Sequence, residues 1–96
     1  MSGQAFSPIA PSKFSMRSIE SSMIAEIGYY SDFCMMQIRF KPRAGDLVGP
    51  LYQYMNVTVD TWEELFFADS IGKAFTRLIK NKPQYPCVQV VESQPA

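Results

Sequence analysis

Histidine is absent from this 96-residue chain. That removes the commonest general base near neutral pH, the commonest metal ligand, and the Ser-His and Cys-His pairs of nucleophilic catalysis. Cysteine is scarce. Cys34 and Cys87 are the only two, too few for a disulfide framework or a four-cysteine zinc site. Neither sign of charge is in excess, because nine Lys and Arg meet nine Asp and Glu. Gripping long nucleic acid depends on releasing counterions from many phosphates, and a neutral chain is poorly equipped for it. A small anion needs only one or two Arg or Lys. No apolar run is long enough to span a bilayer. The N-terminus lacks the basic start and apolar stretch of a secretory signal. The expected location is cytoplasmic (host cytoplasm for a viral protein), with no membrane, metal or cofactor partner.

What the chain does have is apolar mass. The apolar share is 47% and the aromatic share 14%, generous for one domain whose core can only be thin. Met35-Met36 and Phe66-Phe67 put large side chains on opposite faces of one element. A monomer this small struggles to bury both, so a homo-oligomer is expected.

Residues 1–18 are rich in Ser and Pro and read as a flexible arm, which Ile9 and Phe14 could pin to the body. Ser22 to Tyr30 reads as a first strand, bulged near Gly28. Phe33 to Phe40 alternates: Cys34, Met36, Ile38 and Phe40 on one face, Phe33, Met35, Gln37 and Arg39 on the other. A Pro- and Gly-containing loop follows. Leu51 to Val57 is a third strand with Tyr52, Tyr54 and Asn56 on one face. Thr58 to Asp69 is a helix with Trp62, Leu65 and Phe66 buried and a capping box at Asp60/Glu63 or Thr61/Glu64. A second helix runs from Ile71 to Asn81, and Tyr85 to Val91 offers a last strand. The predicted fold is α+β: a small antiparallel sheet of three to four strands with two consecutive C-terminal helices packed on one face. The domain is expected over 19–91, with a disordered tail at 92–96.

The run Ser21-Ser22-Met23-Ile24-Ala25-Glu26-Ile27-Gly28-Tyr29 resembles the opening of KTSC domains, named for the C-terminus of some lysyl-tRNA synthetases. Tyr52-Gln53-Tyr54 is similar to the central Tyr-x-Tyr of that family. Ala68, Ser70, Gly72, Phe75 and Ile79 resemble its closing pattern, and Tyr85 its late Tyr. The chain departs from the pattern at Val57-Thr58, Thr76 and Lys80, and its loop before Leu51 is longer. The resemblance implies no catalytic activity; RNA binding has been suggested for such domains. They also occur alone in bacteria and their viruses, where a protein of this size can block a host protein or sequester a nucleotide signal.

Several residues are candidates for ligand contact, each with a plainer structural role. Tyr52 and Tyr54 can stack bases or pack beneath the helices. Tyr29 joins them as a nearby aromatic. Lys73, Arg77 and Lys80 recur at helical spacing opposite the apolar stripe, forming a phosphate-binding edge or a solvated face. Arg39 can hold a phosphate or base edge; Asn56 and Ser70 can add hydrogen bonds. Asp60, Glu63 and Glu64 fit capping better than acid–base catalysis.

These residues lead to the expectation of a non-catalytic protein that sequesters a small anionic nucleotide, and the resemblance implies a cyclic oligonucleotide immune signal, in a viral anti-defence role, as one candidate. The alternatives are an RNA or single-strand binding module and an inhibitor of a host protein.

Overall fold

Period-two alternation builds a sheet here, and two helices close one side of it. The computed structural model describes residues 11–91. Five strands, β1 (Arg17–Ser18), β2 (Ile24–Tyr30), β3 (Met35–Phe40), β4 (Leu51–Tyr54) and β5 (Cys87–Val90), form one antiparallel sheet in the order β1-β2-β3-β4-β5. Helices α1 (Val59–Phe66) and α2 (Ile71–Leu78) connect β4 to β5. The class is the expected α+β. The strand count exceeds the expected three to four because β1 is too short for a periodic signal.

The register sorts the side chains. Ile27, Ile38 and Tyr52 lie side by side, as do Tyr29, Met36 and Tyr54. These residues face the helices and pack with Val57, Leu65, Ala74, Phe75 and Ile79. Ile24, Ile27, Met36, Ile38, Val57, Leu65 and Ile79 are fully buried. Each such side chain contributes about 1.5–3 kcal/mol by leaving water.

The next residues in each strand point to the other face. Gln37 and Gln53 are cross-strand partners there, both buried, and Gln37 Nε2 donates to Gln53 Oε1 at 3.1 Å. A 3-10 turn over Pro11–Phe14 closes this side. Phe14 is buried and meets Tyr30 edge-on at 5.6 Å. The turn comes close because β2 has Gly28 beneath it: a Cβ there would stand 2.5 Å from the Phe14 carbonyl oxygen and 2.7 Å from the Met16 sulfur. Gly28 therefore marks a close approach and not the expected bulge. The bulge lies at Ala25, where the pairing with β3 shifts. Phe14 is pinned as expected. Residues 1–10 and 92–96, including Ile9 and the expected tail, lie outside the described residues.

Four element ends differ from expectation for local reasons. Ser31–Phe33 forms a 3-10 turn that closes on Cys34, whose φ of 52° is left-handed, so β3 starts two residues late. β4 stops at Tyr54, and Asn56, with φ 64°, turns the chain instead of extending the Tyr52-Tyr54 face. Thr58 caps α1 by accepting from the Thr61 backbone N–H at 3.3 Å, one turn ahead of the expected capping boxes. α2 ends at Leu78, and Asn81, with φ 60°, takes the left-handed position that follows a helix C-terminus.

Candidate functional site

The helix-covered face is not sealed along its whole length. The covering helices leave β4 partly open, and a cleft of about 860 Å³ remains beside it. Its floor is aromatic. Phe40, Tyr52, Tyr54, Phe75 and Tyr85 all line it. Phe75 comes from α2 and meets Phe40 and Tyr54 edge-on, each at 5.6 Å, while Phe40 meets Tyr52 at 5.8 Å. These T-shaped contacts suit the ring quadrupoles and hold the floor rigid. The rim is cationic. Lys41 and Arg43 come from the β3–β4 loop, Lys80 and Lys82 from the chain after α2; all four are exposed. Among the described residues no carboxylate lines the cleft.

The two central tyrosines differ. Tyr54 is 7% exposed, and burial, followed by Cys87 and Tyr52, pushes its phenol well above the usual tyrosine range. It is a neutral core residue whose edge reaches the floor. Tyr52 is half-buried and offers more surface, as does Tyr85. Tyr52 and Tyr85 therefore offer ring surface to the cleft, whereas Tyr54 and Phe75 pack beneath it.

The other expected site residues separate. Lys80 joins the cleft. Ser70, Lys73 and Arg77 line a smaller cavity of about 440 Å³ at the start of α2, and this cavity shares Ser22 and Met23 with the cleft. Ser70 Oγ is engaged as the α2 cap, accepting from the Lys73 backbone N–H at 3.2 Å. Tyr29 lines neither space. Its hydroxyl donates to the Val57 carbonyl at 2.5 Å and its ring stacks on Trp62 at 5.0 Å. Burial and then Cys34 push its phenol up to about 12. Asn56 bonds the Gln84 carbonyl through Nδ2 at 3.3 Å. Arg39 lies on the far face, its Nε 3.3 Å from Glu26 Oε1 and its Nη1 donating to the Gly49 carbonyl at 3.0 Å.

Lys41, Arg43, Lys82 and Tyr85 complete the cleft. They were not among the expected site residues. Their signal was weak, because solvated strand ends carry the same residues. Only the return of β5 beside β4 brings Tyr85 and Lys82 opposite the β3–β4 loop.

The glycine and serine pattern has a packing role. Ser21 Oγ accepts from the backbone N–H groups of Met23 and Ile24, each at 3.2 Å, and a Cβ at Gly72 would come within 3.1 Å of that oxygen. Small residues here let α2 approach the start of β2.

The KTSC domain family model matches residues 20–85. A crystal structure of a KTSC domain protein from Yersinia pestis is similar, with 31% sequence identity, a TM-score of 0.68, and coverage of 81% of this chain and 99% of that one. No curated protein matches this chain.

Proposed function

The chain belongs to the KTSC domain family, and from its cleft we propose that it binds and sequesters a small nucleotide without turning it over. One observation carries this reading. Four cations, Lys41, Arg43, Lys80 and Lys82, rim an aromatic floor with no carboxylate among the described lining residues. In a chain of zero net charge this is a local excess, and a concave site concentrates its field. A phosphate meets the rim, where Arg43 can hold it through two bonds. A base meets Tyr52 or Tyr85. The volume sits within the range of about 300–1,000 Å³ common to small-molecule sites, enough for a mono- or dinucleotide, cyclic forms included.

Binding without turnover is supported by the lining chemistry. A hydrolase needs a base poised near neutral pH. The chain has no histidine, no carboxylate stands at the cleft among the described residues, and Tyr54 holds its proton more firmly than an ordinary tyrosine. A cytoplasmic setting fits a nucleotide ligand and the free thiols of Cys34 and Cys87. No described helix is long and apolar enough to cross a membrane.

Calorimetry against mono-, di- and cyclic nucleotides tests the proposal. Heat of binding is expected from at least one, with the nucleotide recovered unchanged. Tyr52→Ala should weaken that binding by about 1–3 kcal/mol, the worth of one stacked base. Absence of heat from the whole panel at high micromolar concentration sinks the reading.

Single-stranded RNA is the second reading, favoured by Lys73 and Arg77 in the adjoining cavity, which continue the line of cations along α2. It predicts affinity that falls steeply with salt, where a small ligand gives a shallow slope.

A further inference from the structure

We propose that the ligand carries phosphate at both ends of one nucleoside, as in a nucleoside 3′,5′-bisphosphate or a dinucleotide. This rests on the nucleotide-binding reading and narrows its ligand class. The alternative it excludes is a nucleoside whose phosphates all extend from one end.

The argument is one of placement. The Phe40 backbone N–H donates to the Pro50 carbonyl at 2.9 Å, and Arg39 pairs with Leu51. Lys41 and Arg43 therefore leave the sheet at the Leu51 end of β4. The second pair belongs to the opposite end. Cys87 is the β-sheet partner of Tyr54, and the Met55 N–H donates to the Pro86 carbonyl at 2.9 Å. Tyr85 N–H in turn donates to the Lys82 carbonyl at 3.0 Å. Lys82, with Lys80 two residues before it, thus stands near the Tyr54 end. Tyr52 and Tyr54 are two residues apart, which in a strand is about 7 Å, so the two cation pairs flank an aromatic floor one nucleoside long.

A one-ended polyphosphate would neutralise one pair and leave the other facing solvent. A group with phosphate on both the 3′ and 5′ oxygens meets both pairs while its base lies on the floor. The cleft is open enough for this, and its wall at Ser22 and Met23 continues into the smaller cavity.

Adenosine 3′,5′-bisphosphate and ADP share a base and a phosphate count and differ in where the phosphates sit, with the bisphosphate also the more highly charged because both its phosphates are monoesters. Calorimetry on the full chain should show the bisphosphate binding about tenfold to a hundredfold tighter, the worth of one added charge-assisted contact. Removing either pair, as K41A/R43A or K80A/K82A, should bring the bisphosphate close to ADP. All four side chains are exposed, so both variants should fold. Cys87 supplies an independent readout: it is exposed and lines the cleft, while Cys34 is half-buried elsewhere. Bound bisphosphate should slow alkylation of Cys87 and leave Cys34 unchanged.

ADP binding as tightly as the bisphosphate overturns the two-ended inference and leaves nucleotide binding standing. Failure of both ligands, with no protection of Cys87, counts against the nucleotide reading itself. A linear dinucleotide and a decanucleotide separate the two sources of this chemistry. Similar affinity for both supports a small ligand, and affinity that grows with length overturns it in favour of a strand.

Discussion

Two clefts of about 860 Å³ each open at the same sheet, one on either face. The first has aromatic rings beneath four cations and no acid among the described residues. The second is lined by Leu47, Val48, Val90 and Val91, and its charges, Glu26 and Arg39, are paired with each other. Size does not separate them. Charge balance does: in the second cleft the sole described cation is already matched by a carboxylate, so an incoming phosphate would have to compete with Glu26. The same strands serve both. Alternation in β3 and β4 sends Ile38, Phe40, Tyr52 and Tyr54 one way and Arg39, Leu51 and Gln53 the other. The face that bears the cationic cleft and the opposite face are thus one residue apart.

The largest expected effects compare the two cores. Phe75→Ala, beneath the cationic cleft, and Phe14→Ala, on the far face, each remove a buried ring and should each cost about 3–5 kcal/mol in urea denaturation. They should differ in ligand binding. The folded fraction of Phe14→Ala should keep its nucleotide affinity, whereas Phe75→Ala loses the floor and the affinity with it. Equal loss of binding in both would erase the distinction between the faces.

Gly28→Ala should come next. The added Cβ meets backbone at 2.5 Å, so the turn over Phe14 must shift, at about 1–3 kcal/mol for overpacking. Thermal melts measure it, and an unchanged melt would mean that the turn moves freely.

Arginine offers a matched test at smaller scale. Arg43→Ala should weaken nucleotide binding about tenfold or more. Arg39→Ala should leave binding intact and lower stability by about 1 kcal/mol, since it loses a partly exposed ion pair and a bond to the Gly49 carbonyl. Similar binding losses in the two variants would place the ligand on the wrong face.

A last effect is one of pH. Tyr29 titrates near 12 in the folded protein, against about 10 when unfolded. A phenol whose folded value is raised contributes stability that is complete below about pH 10 and is lost as pH climbs toward 12. Tyr54 shifts in the same direction. Denaturation midpoints should fall across that window, and Tyr29→Phe should flatten the decline.

Legibility was uneven, and the pattern has a cause. β3 and β4 were readable because alternation is written in consecutive residues. Their ends were not, because Cys34 and Asn56 adopt left-handed backbone that composition does not announce. The α1 cap was misplaced by one turn because Thr58, Asp60 and Thr61 can all begin a helix, and only the geometry selects among them. Of the expected contact residues, Tyr52, Tyr54 and Lys80 line the cationic cleft, whereas Tyr29, Arg39 and Asn56 lie outside it. Each of these three is occupied by a neighbour distant in sequence.

By itself the sequence determined the α+β class, the helix-covered face of the strands, the absence of histidine chemistry, and the Tyr52-Gln53-Tyr54 landmark. These follow from periodicity and composition, which are local. Only the tertiary structure decided that Tyr54 is core while Tyr52 is half-open, that Arg39 is held by Glu26, and that Lys41 and Arg43 stand across β4 from Lys80 and Lys82. Those facts depend on the chain returning as β5 beside β4, a pairing between residues more than thirty positions apart, and no local pattern carries it.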